Sequence, residues 1–168
     1  MINEIPKKIM KASVLSALLI SIFYVWGCGK KEEVASEATT KIFNVILLEN
    51  DKVLEEIIKN SEKVPNLSAL ISVMEKGMEG VLEDGLKRGL EEETRILKDA
   101  SNKNKDEFYE AYSRFTEHLS VSMKTGGVKI SEYNRFYCPM VSKYWMSKGT
   151  EVNNPFAPDM RDCGEIKN

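Results

Sequence analysis

Histidine is almost absent from this 168-residue chain, where His118 stands alone. One imidazole argues against a multi-histidine zinc or copper(II) centre and leaves triad-type catalysis a single candidate base. Cysteine is nearly as scarce, with Cys28, Cys138 and Cys163 the only three. None belongs to a Cys-x-x-Cys pair, which excludes covalent haem attachment and a dithiol redox motif. There is no glycine-rich phosphate loop, nucleophile elbow or metal-hydrolase motif, and no enzyme is expected. An excess of basic charge is missing too. Without residues 1–27, which carry three lysines and one glutamate, 21 basic and 25 acidic residues remain, a net charge of −4. That balance speaks against nucleic acid as a partner, and no polybasic stretch offers itself to anionic lipid. Strand-like alternation of useful length does not occur before residue 127.

What the N-terminus does have is the layout of an export signal. Lys7, Lys8 and Lys11 precede an uncharged, strongly apolar run from Ala12 to Trp26. As a helix these residues would span roughly 22 Å, short of the ~30 Å hydrocarbon core, so a cleaved signal is a better reading than a transmembrane anchor. The run closes on Val25-Trp26-Gly27-Cys28, which resembles the lipobox of bacterial lipoproteins, although Trp26 occupies a position that normally holds a small residue. The resemblance implies removal of residues 1–27, acylation of Cys28 and a membrane anchor. Two acyl chains are what stable anchoring needs, because one alone binds marginally. An ordinary signal with a chance cysteine is the alternative. Gly29, where some lipoproteins carry aspartate, implies delivery to the outer membrane with the domain facing the periplasm. Residues 28–40 are polar after the cysteine and read as the lipidated position plus a flexible tether.

The 141 residues from Cys28 onward suit one domain with one core. Over 41–126 the apolar spacing is helical. Ile42, Val45, Ile46, Val53, Leu54, Ile57 and Ile58 mark a first helix between Lys41 and Lys63. After Pro65 and a capping Asn66, Leu67, Leu70, Ile71, Met74 and Met78 mark a second. A break or close helix contact is expected near Gly80 to Gly85, and Leu86, Leu90, Ile96 and Leu97 give a third helix. The clearest stripe is Phe108, Ala111, Tyr112, Phe115, Leu119 and Met123, ended by Gly126-Gly127. The fold class expected is all-α: an antiparallel up-and-down bundle of three to four helices. Glu91-Glu92-Glu93 reads as a solvated charge run, and Met74, Met78 and Met123 as core filler. His118, beside core-facing Leu119, reads first as a flanking residue and second as an auxiliary metal ligand.

Residues 127–168 are a different kind of text, dense in aromatics, proline and sulfur. Helical periodicity stops there, with Val141–Met146 the one stretch that could still form a helical run. This segment is expected to be irregular and packed against the bundle. Cys138-Pro139-Met140, Trp145, Asn154-Pro155-Phe156 and Met160-x-x-Cys163-Gly164 resemble the C-terminal signature of a bacterial envelope family. Its domain also occurs fused to the adaptor subunits of copper/silver efflux pumps. Ala157-Pro158 departs from a glycine common after the Asn-Pro-aromatic step.

Two readings of the sulfur residues stay open. In one, Cys138, Met140, Met160 and Cys163, with His118 as an auxiliary, form a soft-metal site for copper(I) or silver(I), since thiolate and thioether select such ions. The resemblance then implies metal binding or metal homeostasis, with a heavy-metal efflux system or a periplasmic metal chaperone as partner. In the other, Cys138 and Cys163 form a disulfide, the default in an oxidising compartment, and the protein is a structural or interaction lipoprotein with a locked C-terminal segment.

Overall fold

Ser36 starts the first helix. Its hydroxyl accepts from the Thr39 N–H at 3.0 Å, the N-cap geometry that satisfies one of the orphan donors of a helix start. The structure, a computed structural model, describes residues 34–81 and 83–167. Residues 1–27, expected to form an export signal, lie outside the described residues, as do Cys28 and residues 29–33. Helix α1 spans Glu37–Lys59, α2 Ser68–Gly80, α3 Asp84–Ala100 and α4 Lys105–Thr125. Asn104 caps α4 by accepting from the Glu107 N–H, whereas α2 starts from Leu67 with no side-chain cap; the expected cap, Asn66, lies one residue earlier and accepts only from the Ser68 N–H. Helix α1 opens four residues ahead of the expected boundary, so 37–40 belong to the helix rather than the tether. The reason is the Ser36 cap and Thr39, which is fully buried and donates to the Glu83 carboxylate at 2.7 Å.

The four helices pack together around Phe43, Ile46, Leu47, Leu90, Phe108, Tyr112, Phe115 and Leu119, all without solvent exposure. The ends of the first and last helices are tied to one another. The Ala35 N–H donates to Gly127 O, and the Tyr109 hydroxyl donates to Ser61 O. The glycine-marked helix contact is real: a Cβ on Gly77 or on Gly80 would stand 2.8 Å from Ile42. Among the described residues no helix is long and apolar enough to cross a membrane.

The expectation of an all-α domain with an irregular C-terminal segment needs correction. That segment folds as a three-stranded antiparallel sheet: β1 (Tyr133–Cys138), β2 (Lys143–Lys148) and β3 (Glu165–Ile166), in the order β2-β1-β3. Val141–Met146 is the end of a turn and the start of β2, not a helix. Ser142, at φ 52°, closes the turn between the first two strands. Branched and aromatic side chains favour the pleated, half-buried surface that these strands occupy.

An edge strand leaves a row of backbone groups without partners, and helix side chains supply them along the first half of β2. The Tyr144 N–H donates to Ser113 Oγ at 2.7 Å, and Thr116 Oγ1 donates to Tyr144 O at 2.9 Å. Asn50 Nδ2 donates to Met146 O at 2.9 Å, and Asn50 Oδ1 accepts from the Tyr112 hydroxyl at 2.7 Å. Helices α4 and α1 thus hold the sheet through hydroxyls and one amide. Asn50, Ser113 and Thr116 are buried for that reason.

Glu93 is a second correction. Within the run Glu91-Glu92-Glu93, Glu91 is exposed and Glu92 partly so, but Glu93 is only 1% exposed. The cause is register: Leu86, Leu90, Glu93 and Leu97 share one face of α3 at steps of four, three and four. The Ser122 hydroxyl donates to Glu93 Oε1 at 2.7 Å, whereas Oε2 has no hydrogen-bond partner among the described residues. Burial pushes this carboxyl up to about 7, against the partial relief of the Ser122 bond.

Candidate functional site

Cys138, Trp145, Asn154, Phe156, Cys163 and Gly164 of the C-terminal segment gather into one packed cluster, while Pro139 and Met140 are exposed. Cys138 ends β1, opposite Lys143, and Cys163 stands two residues before β3. Their sulfurs are joined in a disulfide with Cα atoms 5.5 Å apart, inside the range such bridges require. Cys138 is fully buried. The bond ties the centre strand to the turn that delivers β3, whose Ile166 pairs with Phe136.

Trp145 is the hub. It is fully buried, stacks on Phe136 with centroids 5.3 Å apart, and meets the edge of Phe156 at 6.4 Å. Phe156 in turn meets Tyr109 of α4 edge-on at 5.3 Å. Gly164, next to the bridge, lies flat on the indole: an added Cβ would stand 2.6 Å from Trp145 Cη2 and 3.0 Å from Val152 Cγ1. Glycine is therefore needed here for close approach rather than for an unusual backbone angle.

The Asn-Pro-Phe step is equally structural. Asn154 is fully buried. Its Oδ1 accepts from the Phe156 N–H at 2.9 Å, and its Nδ2 donates to Cys163 O at 3.1 Å. Its backbone N–H donates to Arg161 O, and Arg161 reaches on to donate to Ile58 O at the end of α1. Met160 O accepts from the Cys163 N–H, across a short 3-10 turn at Pro158–Met160. One asparagine thus couples the loop, the bridge and the first helix.

Of the residues proposed as soft-metal ligands, the fold brings Cys138 and Cys163 together as a bonded pair and holds Met160 in the same turn as Cys163. Met140 sits in the β1–β2 turn, 72% exposed. His118 is exposed on α4. A bonded pair offers no thiolate, and thiolate is the ligand that soft ions take from cysteine. Among the described residues no group of three or more His, Cys, Asp or Glu is gathered to hold a metal ion. The oxidised cluster does not fit copper(I) or silver(I).

Sequence reasoning missed the polar contacts that seat the sheet. A signal was present, because Asn50 interrupts the apolar face of α1 three residues after Leu47 and four after Ile46.

No family model, curated protein or solved structure matches the chain. The cluster must therefore be read from its own geometry.

Proposed function

We propose that this chain is an exported, lipid-anchored domain of the bacterial envelope that works as an interaction module rather than a catalyst. Cys28 carries the anchor, the outer membrane is its destination, and the helices form an up-and-down bundle facing the periplasm. The observation that supports this best is the Cys138–Cys163 bridge at the centre of the packed signature residues. A buried structural disulfide belongs to an oxidising compartment. In this reading the resemblance to efflux-linked envelope domains reflects a shared lock that shapes the C-terminal sheet, because Trp145, Asn154, Phe156 and Gly164 are all spent on packing around the bridge.

Two measurements test it. Labelled palmitate should enter the full chain and be lost from Cys28→Ser, and protein taken from the envelope should show no free thiol at Cys138 or Cys163 by intact mass. Free thiols in that sample refute the lock.

A second reading has one observation in its favour: Met160 shares a backbone turn with Cys163, so reduction of the bridge frees two thiols in the same segment as a thioether. Copper(I) titration of the reduced chain checks this. Equal affinity in Cys138→Ser and Met160→Leu rules the soft-metal role out.

A further inference from the structure

The side-chain closure of the β2 edge stops halfway. In the register Tyr137–Tyr144, Arg135–Met146 and Tyr133–Lys148, the backbone groups of Tyr144, Met146 and Lys148 point away from β1. Ser113 and Thr116 satisfy both backbone groups of Tyr144, and Asn50 satisfies the carbonyl of Met146. Lys148 receives no such partner. Past Gly149, whose N–H still donates to Glu132 O, the chain continues over 150–153, and no described residue makes a backbone hydrogen bond with that stretch. Asn154 resumes the bonding.

Facing this open edge is a groove of about 530 Å³, a size that holds ligands elsewhere. Helix α1 forms its other wall with Asp51, Leu54, Glu55 and Ile58, at helical steps of three, one and three. Glu151 and Val152 line the near side. Leu54, Ile58 and Val152 make an apolar floor beneath three carboxylates. Lys148 is the one cation lining the groove, and its ammonium pairs with Glu132 at 2.5 Å, while Glu55 meets Lys59 one turn on at 3.0 Å. Asp51 is held in place by the Tyr133 hydroxyl, which donates to Oδ2. Burial, aided by Glu55, raises the Asp51 carboxyl against the pull of that bond and of Lys148. A cation arriving in the groove relieves that burden.

We propose that the open half of the β2 edge, continued over 150–153, docks an extended basic segment of a partner protein against α1. Its backbone pairs with the free edge, its apolar side chains sit on Leu54, Ile58 and Val152, and its lysines or arginines meet Asp51, Glu55 and Glu151. This is strand addition with charge selecting the guest. The proposal rests on the reading of the domain as an interaction module.

The test uses the full chain in detergent micelles with the bridge intact, checked by thiol count. The probe is a capped pentapeptide of alternating valine and lysine. Its expected footprint is amide shifts and slowed amide exchange at residues 148 and 150–153, with weaker shifts along 51–58. Glu55→Lys with Glu151→Lys, both on exposed side chains, should weaken binding roughly tenfold, about 1.4 kcal/mol. Methylation of alternate peptide amides should abolish it. A footprint elsewhere, equal binding of a valine–glutamate peptide, or unchanged affinity in the charge-reversed variant overturns the docking site. A chain that is anchored and oxidised yet fails to bind leaves the reading under Proposed function standing, whereas free thiols count against that reading alone.

Discussion

Glu93→Gln should stabilise the domain at neutral and alkaline pH, and the size of the effect follows from one buried carboxyl. Glu93 is 1% exposed, and burial lifts its carboxyl from an ordinary 4.5 to about 7. The folded state therefore holds this proton more tightly than the unfolded chain does. Below pH ~4.5 both states are protonated and the site carries no ionisation cost. Between ~4.5 and ~7 the unfolded chain ionises while the folded one does not, so stability falls as pH rises, by at most ~1.4 kcal/mol per unit. Above ~7 both are ionised, and a constant cost of roughly 3 kcal/mol remains. The amide introduced by the substitution stays neutral throughout, and its oxygen can still accept from Ser122. Its Nε2 replaces an oxygen that already lacks a partner, which returns about 1–2 kcal/mol as an unpaired donor. A net gain of roughly 1–2 kcal/mol at pH 8 follows, seen as a rise in Tm of roughly 3–8 °C. Urea unfolding at pH 5 and pH 8, with the disulfide intact, measures both quantities. If the variant keeps the wild-type loss of stability between those two pH values, the assignment of that slope to Glu93 is wrong.

Gly164→Ala forces a methyl to within 2.6 Å of Trp145 Cη2 and should cost about 1–3 kcal/mol as overpacking, with a changed near-UV signal from the indole. Replacing Cys138 and Cys163 together by serine removes a cross-link between residues 25 apart, and the chain-entropy estimate is a loss of about 3.5 kcal/mol in denaturant titrations. Asn50→Ala strips Met146 O of its partner and leaves the Tyr112 hydroxyl only the longer 3.4 Å bond to Asn50 O, and should cost about 2–3 kcal/mol. Tyr112→Phe should cost less, because it leaves only one acceptor lone pair unused. Equal losses in the two variants would show that the amide does not bridge helix and strand.

The helices were legible because their signal is local. Phe108, Tyr112, Phe115 and Leu119 recur within one turn of one another, and each is fully buried. The sheet was not legible because its strands are covered on both faces. Trp145 and Met146 are adjacent, point to opposite sides, and are both buried, as are Tyr133 and Phe136 in β1. No in-and-out alternation survives to be read. The candidate site was half legible: Cys138 and Cys163 could be named, but sequence left both bridge and metal site open. What seats the bridged segment lies in contacts such as Asn154 with Cys163, and Asn50 with Met146 across 96 residues, which no spacing rule reaches. Glu93 was hidden by its neighbours, since the two glutamates before it, on other faces of α3, made a buried acid look solvated.

Helix α1 is 23 residues long, about 33 Å at the usual rise. The chain enters at its beginning, fastened by Ala35 to Gly127 and by Ser36 to Glu83. The bridged terminus fastens at its other end through Arg161 to Ile58. A mechanical load transmitted along the polypeptide from its N-terminal side therefore falls first on the Ala35–Gly127 backbone bond and on the Glu83 carboxylate that takes the Ser36 N–H and the Thr39 hydroxyl. The pole stapled by the disulfide lies a helix length away from that first load.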